Sequence, residues 1–181
     1  MNNENLTNEI NKIIVHYTKA RGTETDADMI IDNVWLGNFS VAHDIFFITD
    51  KKINCIVNAT KNIPNCFNFI ENFTFHMRDF EACHDDFIEI INKGADAIHY
   101  ALNNNKIILV HCKRGHHRSA AILVFYLMKY RNMSLLDAIL LIKRKRPTAF
   151  RRITCLLKTL INYEIYKNRY YSIHKQHNKI Y

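Results

Sequence analysis

Between Ile107 and Ser119 the chain reads Ile-Ile-Leu-Val-His-Cys-Lys-Arg-Gly-His-His-Arg-Ser. The apolar run reads as a buried strand, it stops abruptly at His111-Cys112, and an apolar helical pattern begins at Ser119. The loop between them carries one thiol, Cys112, one glycine, Gly115, and the cationic or titratable side chains of Lys113, Arg114, His116, His117 and Arg118. A helix starting here points its unpaired N–H groups back at the loop, so the segment is built to hold an anion. A cysteine facing such donors with guanidinium and ammonium groups close by has a lowered pKa, and the thiolate is the nucleophile. Arg118, six positions after Cys112, can curl round and grip two phosphate oxygens with its planar fork. Gly115 permits a φ that a side chain forbids. The spacing predicts a nest of N–H groups holding phosphate above a thiolate.

The pattern His-Cys-x-x-Gly-x-x-Arg-Ser at His111 to Ser119 resembles the signature loop of the cysteine-dependent phosphatases, the protein tyrosine phosphatase superfamily. Its flanks resemble the dual-specificity, VH1-like branch. They include Val34-Trp35-Leu36-Gly37-Asn38, Asn54-Cys55-Ile56-Val57-Asn58-Ala59-Thr60, Tyr126-Leu127-Met128, Met133-Ser134-Leu135 and Arg146-Pro147, and the likeness runs from about Met29 to Glu164. The resemblance implies a phosphatase acting on phosphotyrosine and phosphoserine or phosphothreonine proteins through a phosphocysteine, with Cys112, Arg118, Asp79, Ser119 and His111 catalytic. Lys113, Arg114, Gly115, His116, His117 and Arg118 would hold the phosphate, with no cofactor and no metal. Asp79 stands 33 residues before Cys112, where the family places the acid that protonates the leaving oxygen. Its competitors Asp85 and Asp86 sit where a helix N-cap is wanted. Ser119 has two roles open, capping the following helix or donating to the sulfur; His111 reads as an organiser of the loop. Relatives carry a Pro-Asn pair soon after Arg146-Pro147, whereas this chain continues Thr148-Ala149-Phe150-Arg151, a departure in the segment that supports the loop.

The basicity of the loop opens a second substrate class. Cys-Lys-Arg-Gly-His-His-Arg at Cys112 to Arg118 is similar to the Cys-Lys-Arg-Gly-Lys-His-Arg of atypical plant and fungal phosphatases that resemble inositol pyrophosphate hydrolases. The same chemistry on inositol pyrophosphates, phosphoinositides or RNA 5′-phosphates is the alternative to a phosphoprotein. His116 and His117 would charge below about pH 6.5 and favour such substrates in mild acid. Other classes fit poorly. His111, Cys112, His116 and His117 lack the paired spacing of a metal site. No Gly-Lys-Ser or Gly-Lys-Thr supplies a nucleotide-binding loop. A catalytically dead phosphate binder would not need Cys112, Arg118, Ser119 and Asp79 together.

The elements that must position this loop are those of one α/β domain, a central and mostly parallel sheet of about five strands flanked by helices. The chain has 181 residues, 48% hydrophobic and 23% charged, with net charge +8, composition that suits one globular core and anionic partners. Residues 1–28 read as an amphipathic helix, from Leu6 to Lys19, and a connector; 29–165 as the catalytic domain; 166–181 as a basic aromatic tail that extends the last helix or stacks on nucleic acid. The first helix packs on its own domain or exchanges between two copies as a homodimer. Strands are expected at Met29–Leu36, Cys55–Ala59 and Phe73–Met77, with helices at Val41–Ile48, after Asp86 with Glu89 as a capping box, at Ala120–Tyr130, at Ala138–Lys145 behind a Ser134–Asp137 box, and at Ile153–Ile165. Lys143-Arg144-Lys145-Arg146 reads as a solvated helix face. The five cysteines form no close-spaced framework, so thiols rather than disulfides are expected, with Cys83 a candidate resolving thiol for Cys112. With no signal-peptide pattern and no membrane-length apolar run, an intracellular protein is expected, cytoplasmic with the nucleus as the alternative.

Overall fold

The computed structural model describes residues 2–19, 25–77 and 87–177. Asp79, Cys83, Asp85 and Asp86, singled out above, lie outside the described residues. In chain order the elements are α1 (Asn3–Lys19), β1 (Ala27–Ile31), β2 (Val34–Gly37), α2 (Phe39–Ala42), α3 (Ile45–Asp50), β3 (Cys55–Asn58), β4 (Glu71–Thr74), α4 (Phe87–Asn103), β5 (Ile108–His111), α5 (Arg118–Tyr130), α6 (Leu135–Lys145) and α7 (Cys155–His177). The strands form one sheet in the order β1-β2-β5-β3-β4. Only β1 and β2 run antiparallel; β2 with β5, β5 with β3 and β3 with β4 are parallel.

Alternation along the central strands divides the core in two. Ile108 and Val110 of β5 and Cys55 and Val57 of β3 join the larger cluster, which takes in α1, α4, α5, α6 and α7. Leu109 and Ile56 face the other way, onto Val41, Ala42 and Ile48 of the short helices α2 and α3. Both sides of β5 are therefore covered, and that is why its sequence is a continuous apolar run rather than an alternating one. The α5 helix passes through the middle of the larger cluster, and every residue from Arg118 to Met128 is buried. In α1, Leu6, Ile10 and Ile14 enter the same cluster, and the helix packs on α6 and α7 of its own chain.

Three element expectations need correction. The single strand over Met29–Leu36 is a hairpin, because Asp32-Asn33 turns the chain and Asn33 takes a left-handed φ of 64°, a conformation asparagine tolerates better than most residues. The helix over Val41–Ile48 is two short helices. The Asp44 carboxylate accepts from the Phe46 N–H at 2.9 Å and so begins a new helix where continuation was expected. The strand placed at Phe73–Met77 is Glu71–Thr74, set by pairing with Cys55–Asn58. The Ser134–Asp137 box does form: the Ser134 hydroxyl accepts from the Asp137 N–H at 3.1 Å and donates to its carboxylate at 2.6 Å. Cys55, Cys66 and Cys112 are free thiols. Cys155 is disulfide-bonded, which corrects the expectation of thiols throughout; sequence spacing says little about which distant segments meet. No helix of the described residues is long and apolar enough to cross a membrane.

Candidate active site

Strand β5 delivers Cys112 to the edge of the sheet and α5 begins at Arg118, so the loop between them is anchored at both ends by buried elements. Its shape is fixed from behind, one peptide at a time. The carbonyl of Lys113 accepts from the Phe39 N–H at 3.3 Å, and that of His116 from the Phe150 N–H at 2.8 Å. Between them the Arg146 guanidinium donates to the carbonyl of Arg114 at 3.4 Å and to that of Gly115 at 3.1 Å. A planar trans peptide puts its N–H opposite its carbonyl. With four successive carbonyls held outward, the N–H groups of Arg114, Gly115, His116 and His117 turn to the concave side, which is the nest an anion needs. Gly115 sits at φ 66°, and a Cβ there would stand 2.5 Å from the Gly37 carbonyl oxygen and 2.9 Å from an Arg146 nitrogen. Both the angle and the close approach require glycine.

Cys112 lies at the bottom, 2% exposed. The Ser119 hydroxyl donates to its sulfur at 3.3 Å. Burial alone would push the thiol pKa up. The Ser119 hydroxyl and N–H, the Arg118 guanidinium and the Arg114 N–H outweigh it, and the thiol lies below its ordinary value. Arg118 is buried and donates to the Met77 carbonyl at 3.3 Å, which ties its fork to the chain just after β4. Ser119 is the second residue of α5 and His117 its N-cap. The helix starts earlier than its apolar pattern suggests, so of the two roles read for Ser119 the capping one falls away.

Cys112, Arg114, His116, His117, Arg118, Arg151 and Arg152 line a cavity of about 330 Å³. Four of these are guanidiniums. Arg151 and Arg152 were not read from the sequence as site residues; the Phe150-Arg151-Arg152 run, following the departure after Pro147, was the only signal available. Lys113 is exposed and does not line the cavity, so its expected phosphate-binding role is reduced to the carbonyl that Phe39 holds. Burial pushes His117 down to about 4, with His116, Arg152, Arg151 and Arg118 adding to the effect. That corrects the expectation that it charges in mild acid. Burial also pushes His111 down to about 4, against a backbone hydrogen bond at Cys112 that would raise it. The shift holds the His111 imidazole in its neutral form at neutral pH.

The run Lys143-Arg144-Lys145-Arg146 is not a solvated face. Arg144 and Lys145 are exposed, but Lys143 and Arg146 are buried at 0% and 1% exposure. Lys143 donates to the carbonyls of Pro147 and Ala149 at 2.6 and 2.8 Å, which shapes the turn that presents the Phe150 N–H. Phe150 itself takes a φ of 47°, a costly angle for an aromatic residue, held here by its burial and by the bond to His116. This turn supplies the loop support left open by the departure at Thr148-Ala149-Phe150-Arg151.

Residues 34–166 match the family model described as dual specificity phosphatase, catalytic domain. Human dual specificity protein phosphatase 14 is 35% identical over 135 residues, covering 75% of this chain and 67% of that protein. Human dual specificity protein phosphatase 21 is 35% identical over 139 residues, covering 75% and 70%. Among solved structures, human DUSP28 has a TM-score of 0.72 at 22% identity over 81% of this chain and 97% of that one, a likeness of fold. The matched span takes in the anion loop, the helix that leaves it and strands β2 to β5 of the sheet beneath, and the chain belongs to the dual specificity phosphatase family of cysteine-dependent protein phosphatases.

Proposed function

We propose that Cys112, Arg118, Ser119 and Asp79 hydrolyse phosphomonoesters on phosphotyrosine and phosphoserine or phosphothreonine proteins. The observation that carries this reading is a buried sulfur that accepts from the Ser119 hydroxyl at the bottom of a ring of inward N–H groups, with the Arg118 guanidinium in the same cavity. The monoester dianion settles on the N–H groups and Arg118. The Cys112 thiolate forms an S–P bond as the P–O bond to the leaving group breaks, and Asp79 gives its proton to the departing oxygen. Water then attacks phosphorus, Asp79 takes its proton, and the S–P bond breaks to return the thiolate, which Ser119 stabilises. His111 positions the loop. The catalytic domain is 29–165, flanked by the segments 1–28 and 166–181, in an intracellular setting. With the apolar face of α1 covered by its own chain, the monomer is the working state and the homodimer the alternative.

A second substrate class is favoured by the guanidiniums of Arg114, Arg118, Arg151 and Arg152, which line one cavity. It is the same chemistry on polyanions such as inositol pyrophosphates, phosphoinositides or RNA 5′-phosphates. The test is a panel of phosphotyrosine and phosphothreonine peptides beside these polyanions, with Cys112→Ser as the blank. Cys112→Ser is expected to abolish turnover and keep substrate binding, and Asp79→Asn to lower kcat by roughly 100-fold or more, least for good leaving groups. Wild-type turnover by Cys112→Ser would refute the mechanism. Faster cleavage of every polyanion than of any phosphopeptide would move the assignment to the second class.

A further inference from the structure

We infer that Arg146 and Asp28 are positioning residues for the phosphate loop, and that the functional unit therefore reaches back into the segment joining α1 to the sheet. The inference rests on the reading of Cys112 as a thiolate within a ring of N–H groups and concerns what holds that ring. Arg146 is 1% exposed although it carries a full charge. Each of its three nitrogens has a defined acceptor. Nε serves the Gly115 carbonyl at 3.1 Å and one terminal nitrogen the Arg114 carbonyl at 3.4 Å. The other terminal nitrogen serves the Thr25 carbonyl at 3.0 Å and the Asp28 carboxylate at 2.6 Å.

The two loop carbonyls belong to the middle pair of the four peptides that aim N–H groups inward. The outer pair is held by the backbone N–H groups of Phe39 and Phe150, which almost any residue at those positions would supply. The middle pair depends on one side chain, whose fork spans adjacent carbonyls as a point-like ammonium does not. Asp28 is the only carboxylate paired with Arg146 among the described residues, and it offsets the cost of burying the guanidinium. Asp28 thus acts on the nucleophile through Arg146, without touching the cavity. The line between a leading segment ending at residue 28 and a catalytic domain starting at 29 cuts through this pair.

The test reads the loop without turnover. The pH dependence of Cys112 alkylation by iodoacetate gives the thiolate pKa, and protection by inorganic phosphate gives the affinity of the nest; both are measured on the full chain. Arg146→Met should raise the alkylation midpoint by about one pH unit, since the N–H groups of Gly115 and His116 are no longer held toward the concave side where the thiolate charge lies. It should weaken phosphate protection on the order of 10- to 100-fold, as expected for a sub-ångström loss of alignment. Arg146→Lys should follow Arg146→Met, because charge without the fork does not hold both carbonyls. Asp28→Asn should shift both readouts the same way by less. Lys145→Met, which removes an exposed charge next to Arg146, should match the wild type.

A folded Arg146→Met with both readouts unchanged would overturn the inference, as would full rescue by Arg146→Lys. If Arg146→Met does not fold, Asp28→Asn decides the matter: its side chain is 20% exposed, and unchanged readouts there overturn the inference equally. Simple loss of stability would lower the melting temperature without moving the alkylation midpoint of the folded protein. A wild type that never hydrolyses a phosphoester, yet shows a phosphate-protected, low-pKa Cys112 dependent on Arg146, would sink the proposed function and leave this inference standing.

Discussion

The Ser119 hydroxyl, 3.3 Å from the Cys112 sulfur and free of any capping duty, has most to do when that sulfur must leave phosphorus. Ser119→Ala should remove a donor to a charged atom, worth about 2 kcal/mol, or roughly 30-fold in rate. The loss should fall on breakdown of the phosphocysteine: rapid-quench kinetics should show a full first turnover followed by a slow steady state, and an equal slowing of the first turnover would count against this. His111 gives a prediction about stability rather than rate. Its folded pKa of about 4 lies below the ordinary 6.5, so the unfolded chain binds the proton more readily. The stabilisation is complete above about pH 6.5 and is lost as pH falls toward 4, at most about 3 kcal/mol for this one group. Urea midpoints measured from pH 7 to pH 4 should fall along that course, and a flatter fall in His111→Asn would assign it. The chemistry at this scale was legible because Cys112, Gly115, Arg118 and Ser119 fall within eight consecutive positions, and a strand-loop-helix connection leaves little freedom in where they point. Arg146 was not legible. Its partners lie 31, 32, 118 and 121 positions away, and a basic run at the end of an amphipathic helix looks the same whether it is solvated or buried.

At the scale of elements, the turn from α6 into α7 is a second wall of the site. Lys143 closes it by donating to two carbonyls, and the turn in turn holds the loop through Phe150 and His116. Lys143→Met should leave those carbonyls unpaired and cost about 2–3 kcal/mol of stability. Activity of the remaining folded protein should fall less than in Arg146→Met, since one loop peptide is affected rather than two; calorimetry together with an aryl phosphate assay would check the order. The helices after the loop follow their apolar spacing and the Ser134–Asp137 box, except that α7 runs on to His177, past Ile165 where its apolar spacing stops. The elements before it were misplaced where a short polar residue decided the backbone, Asn33 at the hairpin and Asp44 at the break between α2 and α3. Such residues signal turns only weakly against a run of apolar neighbours.

For the molecule as a whole, α1 is part of the core, since Leu6, Ile10 and Ile14 are buried with the residues of α5. Ile10→Ala should cost about 3 kcal/mol, read as a lower urea midpoint, with the molecular mass in sedimentation unchanged. Loss of a dimer on this substitution would instead support exchange of α1 between copies. The larger consequence comes from α5. One continuous helix supplies Arg118 and Ser119 at its first turn and the innermost apolar layer of the protein over the rest of its length. Reactivity and cohesion are thus written on the same rod. A folded but inert protein is reached by trimming single atoms at its tip, whereas anything that loosens the rod itself silences the enzyme and dissolves the interior in one event.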